Sequence, residues 1–232
     1  MKKIGILIFI VAIFVGVVFA NLFSFGRMTG PLFNFSLRSS IKGSGTAKSE
    51  TRDVSHFTGV DVGGIFHVEI VSGRDYAVEV QADDNLLQYI KTDVEGDVLK
   101  IQTTERINSR SPIRVRISAP NIENIDASGA CKISVTGVKN SSLDIDTSGA
   151  SKLKVEGETS QLNIEVSGAS SIDAESLKAR MATVDASGAS SVNLFVTERL
   201  LSDASGASKI AYSGSPANVE KKATGASRVF QK

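Results

Sequence analysis

A four-residue core recurs six times in the C-terminal half of the chain, as SGAC, SGAS, SGAS, SGAS, SGAS and TGAS, centred on Gly129, Gly149, Gly168, Gly188, Gly206 and Gly225. Successive glycines lie 18 to 20 residues apart. A period that short and that regular leaves little choice of fold. Each repeat is one supersecondary unit that cannot bury an apolar face alone, so it must stack on its neighbours, and the chain should form a solenoid.

The residues around each glycine alternate. Four positions before it stand Ile125, Ile145, Ile164 and Val184, and two before it Ala127, Thr147, Val166, Ala186, Ala204 and Ala223. Two positions after it stand Cys131, Ser151, Ser170, Ser190, Ser208 and Ser227, and four after it Ile133, Leu153, Ile172, Val192, Ile210 and Val229. These even offsets should face inward. Charges occupy the odd offsets: Asp126, Asp146, Glu165, Asp185 and Asp203 three before the glycine, and Lys132, Lys152, Lys209 and Arg228 three after it. A period of two carried through a centre of small residues predicts two short strands meeting at a narrow bend where only Gly, Ala and Ser fit.

About six rungs of 18 to 20 residues over 121–232 then stack as an all-β, parallel β-solenoid, each strand pairing with its counterpart one repeat away at about 4.8 Å. Parallel crossovers are right-handed almost without exception, so a right-handed β-helix is expected. The inward serine hydroxyls should bond to backbone or to one another, as buried polar groups require. Cys131 suits the same column because cysteine behaves as a small, readily buried residue.

The other end of the chain is apolar. After Met1-Lys2-Lys3 no charge occurs until Arg27, and residues 4–26 would span about 34 Å as a helix against a bilayer core of about 30 Å. Residues 1–25 read as a membrane anchor, or as a signal peptide cleaved after Val18-Phe19-Ala20. Both readings keep the lysines cytoplasmic and place the rest outside the cytoplasm, in the periplasm or at the cell surface. Residues 26–50, rich in Gly, Ser and Lys towards their end, read as a linker.

Between linker and repeats, 51–120 reads as a small β-rich unit. Alternating segments FHVEIV (66–71), YAVEV (76–80), DVLKIQT (97–103) and IRVRIS (113–118) predict strands. Asp83-Asp84 before NLLQYI predicts a capped helical turn or two, and Glu95-Gly96-Asp97 a tight turn with a residue at positive φ.

The ordered series FTGVDVGGIFHVEIVSGRDYAVEVQADDNLLQYIKTDVEGDVLKIQ, then IRVRISAPNIENIDASGA and the serial SGAS rungs, resembles the putative auto-transporter adhesin, head GIN domain family over roughly residues 55–230. The family's motif resembles Gly64-Ile65-Phe66, with phenylalanine in place of asparagine. The resemblance implies a secreted or envelope-associated β-rich module with an adhesin-like role and brings no catalytic residues.

Function classes narrow further on chemistry. A formal charge of +1 and no basic run interleaved with aromatics argue against nucleic acid. One cysteine excludes an intrachain disulfide, and with two histidines, His56 and His67, it supports neither a zinc site nor a catalytic triad. The calcium-binding nonapeptide and the phosphate loop are absent, so no metal and no cofactor are expected. Six equivalent serines argue for geometry rather than nucleophilic catalysis. The acidic column Asp126, Asp146, Glu165, Asp185 and Asp203 is the candidate binding surface, for cations or a basic partner. Its plainer reading is a solvated face partly neutralised by the bases beyond the bend. The expectation is a non-enzymatic envelope module that binds an extracytoplasmic protein or glycan. The alternatives are a polysaccharide-processing β-helix enzyme, whose carboxylates would cluster on one face, and a purely structural scaffold.

Overall fold

The computed structural model describes residues 40–232, so the apolar segment 4–26 and most of the expected linker lie outside the described residues. Seventeen strands follow one another: β1 (Ile41–Lys42), β2 (Ala47–Arg52), β3 (Gly59–Gly64), β4 (His67–Ser72), β5 (Ala77–Asp83), β6 (Ile90–Glu95), β7 (Val98–Thr103), β8 (Ile107–Asn108) and β9 (Arg114–Ala119). They continue as β10 (Asn124–Gly129), β11 (Lys132–Thr147), β12 (Lys152–Val166), β13 (Ser171–Ala186), β14 (Ser191–Ala204), β15 (Lys209–Ser213), β16 (Asn218–Ala223) and β17 (Arg228–Gln231). The repeats form a β-solenoid of about five turns. Among the described residues no helix is long and apolar enough to cross a membrane.

Each long strand serves two sheets, because it turns a second corner midway. Register shifts between Val135 and Val138 and between Lys154 and Glu156 mark that corner. The stretch just before each SGAS bend pairs in parallel through β10, β11, β12, β13, β14 and β16. The stretch just after it pairs through β11, β12, β13, β14, β15 and β17. Between the sheets lies a core of Ile125, Ile145, Ile164 and Val184 facing Ile133, Leu153, Ile172 and Val192, all 3% exposed or less. The alternation read from the repeats holds at these positions.

It fails at the bend itself. Ala127 and Cys131 are buried on either side, but Gly129 between them is exposed. The glycine does not point inward; it holds a positive φ, +73° at Gly168 and +80° at Gly149. A Cβ on Gly168 would fall under 3 Å from the carbonyl oxygen of Gly149 on the preceding rung. Left-handed backbone and close stacking, rather than a cramped interior, demand the glycine.

Several inward hydroxyls satisfy the same bend, whereas those of Ser190 and Thr147 are buried without a partner. Ser208 Oγ donates to the carbonyls of Ala186 and Ser205 at 3.0 and 2.7 Å, and Ser227 Oγ to those of Ala204 and Thr224 at 2.8 and 2.6 Å. Ser151 Oγ accepts the Cys131 amide at 3.3 Å. These serines fasten backbone to backbone and do not form a hydroxyl chain.

The segments 51–120 and 121–232, distinct in sequence, share their sheets. β3 pairs in parallel with β10, matching Gly64 to Gly129, and β4 pairs with β11, matching His67 to Lys132. Residues 59–72 are thus one further rung, with Val60, Val62, Phe66 and Val68 in the core. β7 and β9 still pair in parallel, with β3 and β4 respectively, and antiparallel strands then close this end: β6 on β7, and β5 on β9 followed by β2. The outermost strand on this side, β2, carries Lys48, Glu50 and Arg52, charges that discourage another chain from adding to the edge.

Two expectations change. Part of the 26–50 linker is strand: β1 pairs β8, and β2 lies along the edge of β5. β2 reads AKSETR and is exposed over most of its length, so it is held by backbone pairing and carries no apolar alternation by which to find it. The helical turn after Asp83-Asp84 shrinks to a 3-10 turn, Leu87–Tyr89, whose cap position is Leu86 with no side-chain bond. Asp83 instead closes β5 and accepts the Arg110 amide and the Ser109 hydroxyl at 2.9 and 3.1 Å, while Asp84 accepts the Asn85 amide at 2.7 Å.

Candidate functional site

Register brings the five predicted acids into one column. Asp126 is level with Asp146, Asp146 with Glu165, Glu165 with Asp185, and Asp185 with Asp203. Each follows an inward Ile or Val, or the inward Ser202, by one residue, so the strand period turns all five outward. The column is longer than the repeats announce. Asp61 on β3 is level with Asp126, carrying it into the extra rung. The signal for Asp61 was present, since Val60-Asp61-Val62-Gly63-Gly64 reproduces the offsets of Ile125-Asp126-Ala127-Ser128-Gly129. Gly64 and Gly129, however, lie 65 positions apart, and the period is lost.

Lysines stand at both ends. Lys100 on β7 is level with Asp61, and Lys222 on β16 is level with Asp203. Lys222 Nζ contacts Asp203 Oδ2 at 2.5 Å; that hydrogen bond raises the lysine's pKa and holds it protonated. Lys100 Nζ pairs with Glu95, also with a raised pKa. Among the described residues no salt bridge reaches Asp126, Asp146, Glu165 or Asp185. Among the described residues no base beyond the bend forms an ion pair with the ladder, and Asp203 is paired from within its own column.

Unpaired acids on adjacent strands repel. At about 4.8 Å two unit charges cost each other roughly 0.9 kcal/mol in bulk-water dielectric, before salt. Asp126 registers this. Partial burial, then the charges of Asp61 and Asp146, push its carboxyl above the usual range, against one hydrogen bond from Asn124 Nδ2 at 3.2 Å. The C-terminal part of the column lines a shallow cavity of about 480 Å³ with Asp146, Glu165, Asp185, Asp203 and Lys222. Spaced along a sheet, the carboxylates do not converge: among the described residues no group of three or more His, Cys, Asp or Glu is arranged to hold a metal ion.

The other singled-out residues have structural settings. Cys131 is 2% exposed, with Sγ 3.5 Å from the Gly64 and Ser128 carbonyls, and burial pushes its thiol up. His67 lies exposed on β4, as a strand-surface residue should. His56 holds φ +62° beside Ser55, whose hydroxyl is 2.8 Å from Nδ1. In Gly64-Ile65-Phe66, Phe66 is fully buried in the serine column's place, whereas Ile65 is 74% exposed beside a cavity of about 800 Å³ that also takes in Arg106 and Arg110.

The fold has solved counterparts. The crystal structure of a putative adhesin from Bacteroides fragilis superposes with a TM-score of 0.67 at 17% identity, over 83% of this chain and 100% of that one. That of a putative lipid binding protein from Parabacteroides distasonis gives a TM-score of 0.50 at 18% identity, over 84% of this chain and 100% of that one. At these identities the likeness is one of fold. No curated protein sequence matches this chain. The pattern of the putative auto-transporter adhesin, head GIN domain, matches residues 56–216, the span that runs from the extra rung through the bends at Gly129 to Gly206, and the chain belongs to that family.

Proposed function

We propose that this chain is an exported, adhesin-like binding module of the cell envelope that acts without catalysis. The observation that carries the reading is the in-register acidic column Asp61, Asp126, Asp146, Glu165, Asp185 and Asp203, bounded by Lys100 and Lys222. A catalytic centre on a regular scaffold gathers unlike groups at one point, whereas a binding face repeats one group along a line. The family's adhesin description supports the same reading. In this reading the apolar N-terminal residues 4–26 export the chain and either anchor it or are cleaved, and the solenoid stands outside the cytoplasm. The partner is an extracytoplasmic protein or glycan, and a basic protein is the partner suited to the acidic column.

The test is a glycan and protein array probed with the full-length chain in mild detergent, with products of each bound glycan checked. Retention without turnover is expected, and Asp146→Asn with Asp185→Asn should weaken any basic protein partner. New reducing ends or unsaturated products would replace this reading with the enzyme. Protease protection in intact cells compared with permeabilised ones tests the location; a solenoid shielded until the inner membrane is opened would overturn it.

A further inference from the structure

The sheet beyond the SGAS bend carries charge of the opposite sign. Three residues after each bend glycine, Lys132, Lys152, Ser171, Ser191, Lys209 and Arg228 stand level on successive strands, and the extra rung and its neighbour add His67 and Arg114. The cations are not spread evenly. Arg114, His67, Lys132 and Lys152 occupy four consecutive strands, after which the column turns to serine at Ser171 and Ser191.

A surface groove of about 510 Å³ coincides with that basic run and is lined by all four residues. Two acids also line it: Glu69 faces Arg116 Nε at 3.5 Å, whereas Asp173, whose Oδ1 accepts the Glu175 amide at 3.3 Å, keeps its negative charge on β13, beyond the four strands that carry the bases. Lys154, the remaining base, pairs with Glu156 at 2.7 Å. Among the described residues no salt bridge reaches Arg114, Lys132 or Lys152. Three uncommitted cations and an imidazole thus lie in a line of about 14 Å, three strand spacings, along one groove.

We propose that this groove binds a linear acidic glycan, a chain of uronate- or sulfate-bearing sugars laid along the stacking direction across Arg114, His67, Lys132 and Lys152. The inference rests on the binding-module reading and names a ligand class and a face for it. An extended polyanion presents a negative group at each repeat, and only a ligand of that form meets a line of cations at strand spacing without leaving some unpaired. Ser134 and Ser171, which also line the groove, offer hydroxyls to sugar hydroxyls. No Phe, Tyr or Trp lines it, so the His67 ring is the one surface on which a base could stack, too little for a stacking platform along single-stranded nucleic acid. Its apolar lining residues Val68, Ile133 and Leu153 are 3% exposed or less, so the groove opens no apolar side chain to a lipid tail.

The experiment measures affinity of the full-length chain in mild detergent for polygalacturonate and dextran sulfate, with neutral galactan, phosphatidylglycerol vesicles and poly(dT) as the other arms. Either acidic glycan should bind more tightly than every other arm, and less tightly as salt is raised. The double variant Lys132→Gln/Lys152→Gln should weaken it about fivefold to tenfold, two exposed charge contacts being lost. Lys48→Gln/Lys139→Gln removes the same charge from exposed strand positions off the groove and should leave affinity unchanged. An unaltered affinity in the groove variant, an equal loss in the control, or tighter binding to vesicles or poly(dT) overturns the proposal. If the array described above yields a ligand but neither acidic glycan binds, the groove assignment falls and the binding module stands; an array with no ligand at all removes both.

Discussion

Replacing Gly168 by alanine isolates what holds the rungs together. The residue has φ +73°, and a Cβ there would sit under 3 Å from the Gly149 carbonyl oxygen, 3.0 Å from its nitrogen and 3.2 Å from its carbon. All three are backbone atoms, so no side chain can swing aside. Relief requires the two rungs to part, which stretches the bonds from the Ala169 amide to Gly149 at 2.7 Å and from the Ser167 amide to Thr147 at 2.8 Å. A left-handed alanine costs about 1 kcal/mol and each weakened ladder bond about 1 more, giving about 3 kcal/mol. Gly96 is the matched control, with φ +65° and nothing within 4 Å of an added Cβ, so Gly96→Ala should show only the conformational term of about 1 kcal/mol. At about 2 to 4 °C per kcal/mol for a domain of this size, circular dichroism melts should fall by about 6 to 12 °C for Gly168→Ala and about 2 to 4 °C for Gly96→Ala. Equal depressions would show that the stack yields freely at the bend, and the close-stacking account of the SGAS repeat would be lost.

Three further outcomes follow from the same structure. Cys131, buried with its thiol pushed up, should resist a thiol reagent near neutral pH in the native protein and react readily in denaturant; rapid native labelling would place it at the surface. Asp126→Asn should raise the melting temperature at pH 7 by about 1 to 3 °C, since the neutral amide keeps an acceptor for Asn124 and removes a charge repelled by two neighbours. Because the folded carboxyl's pKa lies above its unfolded value, wild-type stability from this group falls as pH rises through that window, so the gain should vanish below about pH 4; a gain that persists there would refute the charge explanation. Deleting residues 213–232 removes β16 and β17, baring the strand edges of β14 and β15 with Leu200 and Ile210 behind them, and should produce concentration-dependent assembly; light scattering that stays monodisperse with β-rich dichroism retained would deny these strands a capping role.

Legibility differed along the chain for identifiable reasons. Ile145, Ile164 and Val184 could be assigned to the core because a strand's period of two is local and the repeat shows it several times over. The acidic column was legible for the same reason, as register between identical rungs follows from the period. β2 was not, because AKSETR has no apolar alternation and is held by backbone pairing with β5 and by Arg52 Nη2 donating to the Leu87 carbonyl at 3.0 Å. The lysine ends divide the same way. Lys222 occupies the ladder's own offset, three before Gly225, whereas Lys100 reaches the column only because β7 pairs with β3.

The sequence by itself determined that the chain stacks as a solenoid and which residues enter its core, for these depend on alternation within a single period. Tertiary structure decided that 59–72 is a rung of the same stack, that antiparallel strands close its end, and that Arg114 and His67 extend Lys132 and Lys152 into one basic groove. Those pairings join segments separated by long excursions, and the partner of each is set by which strand edge is left open once the repeats have stacked, a choice that no single segment records.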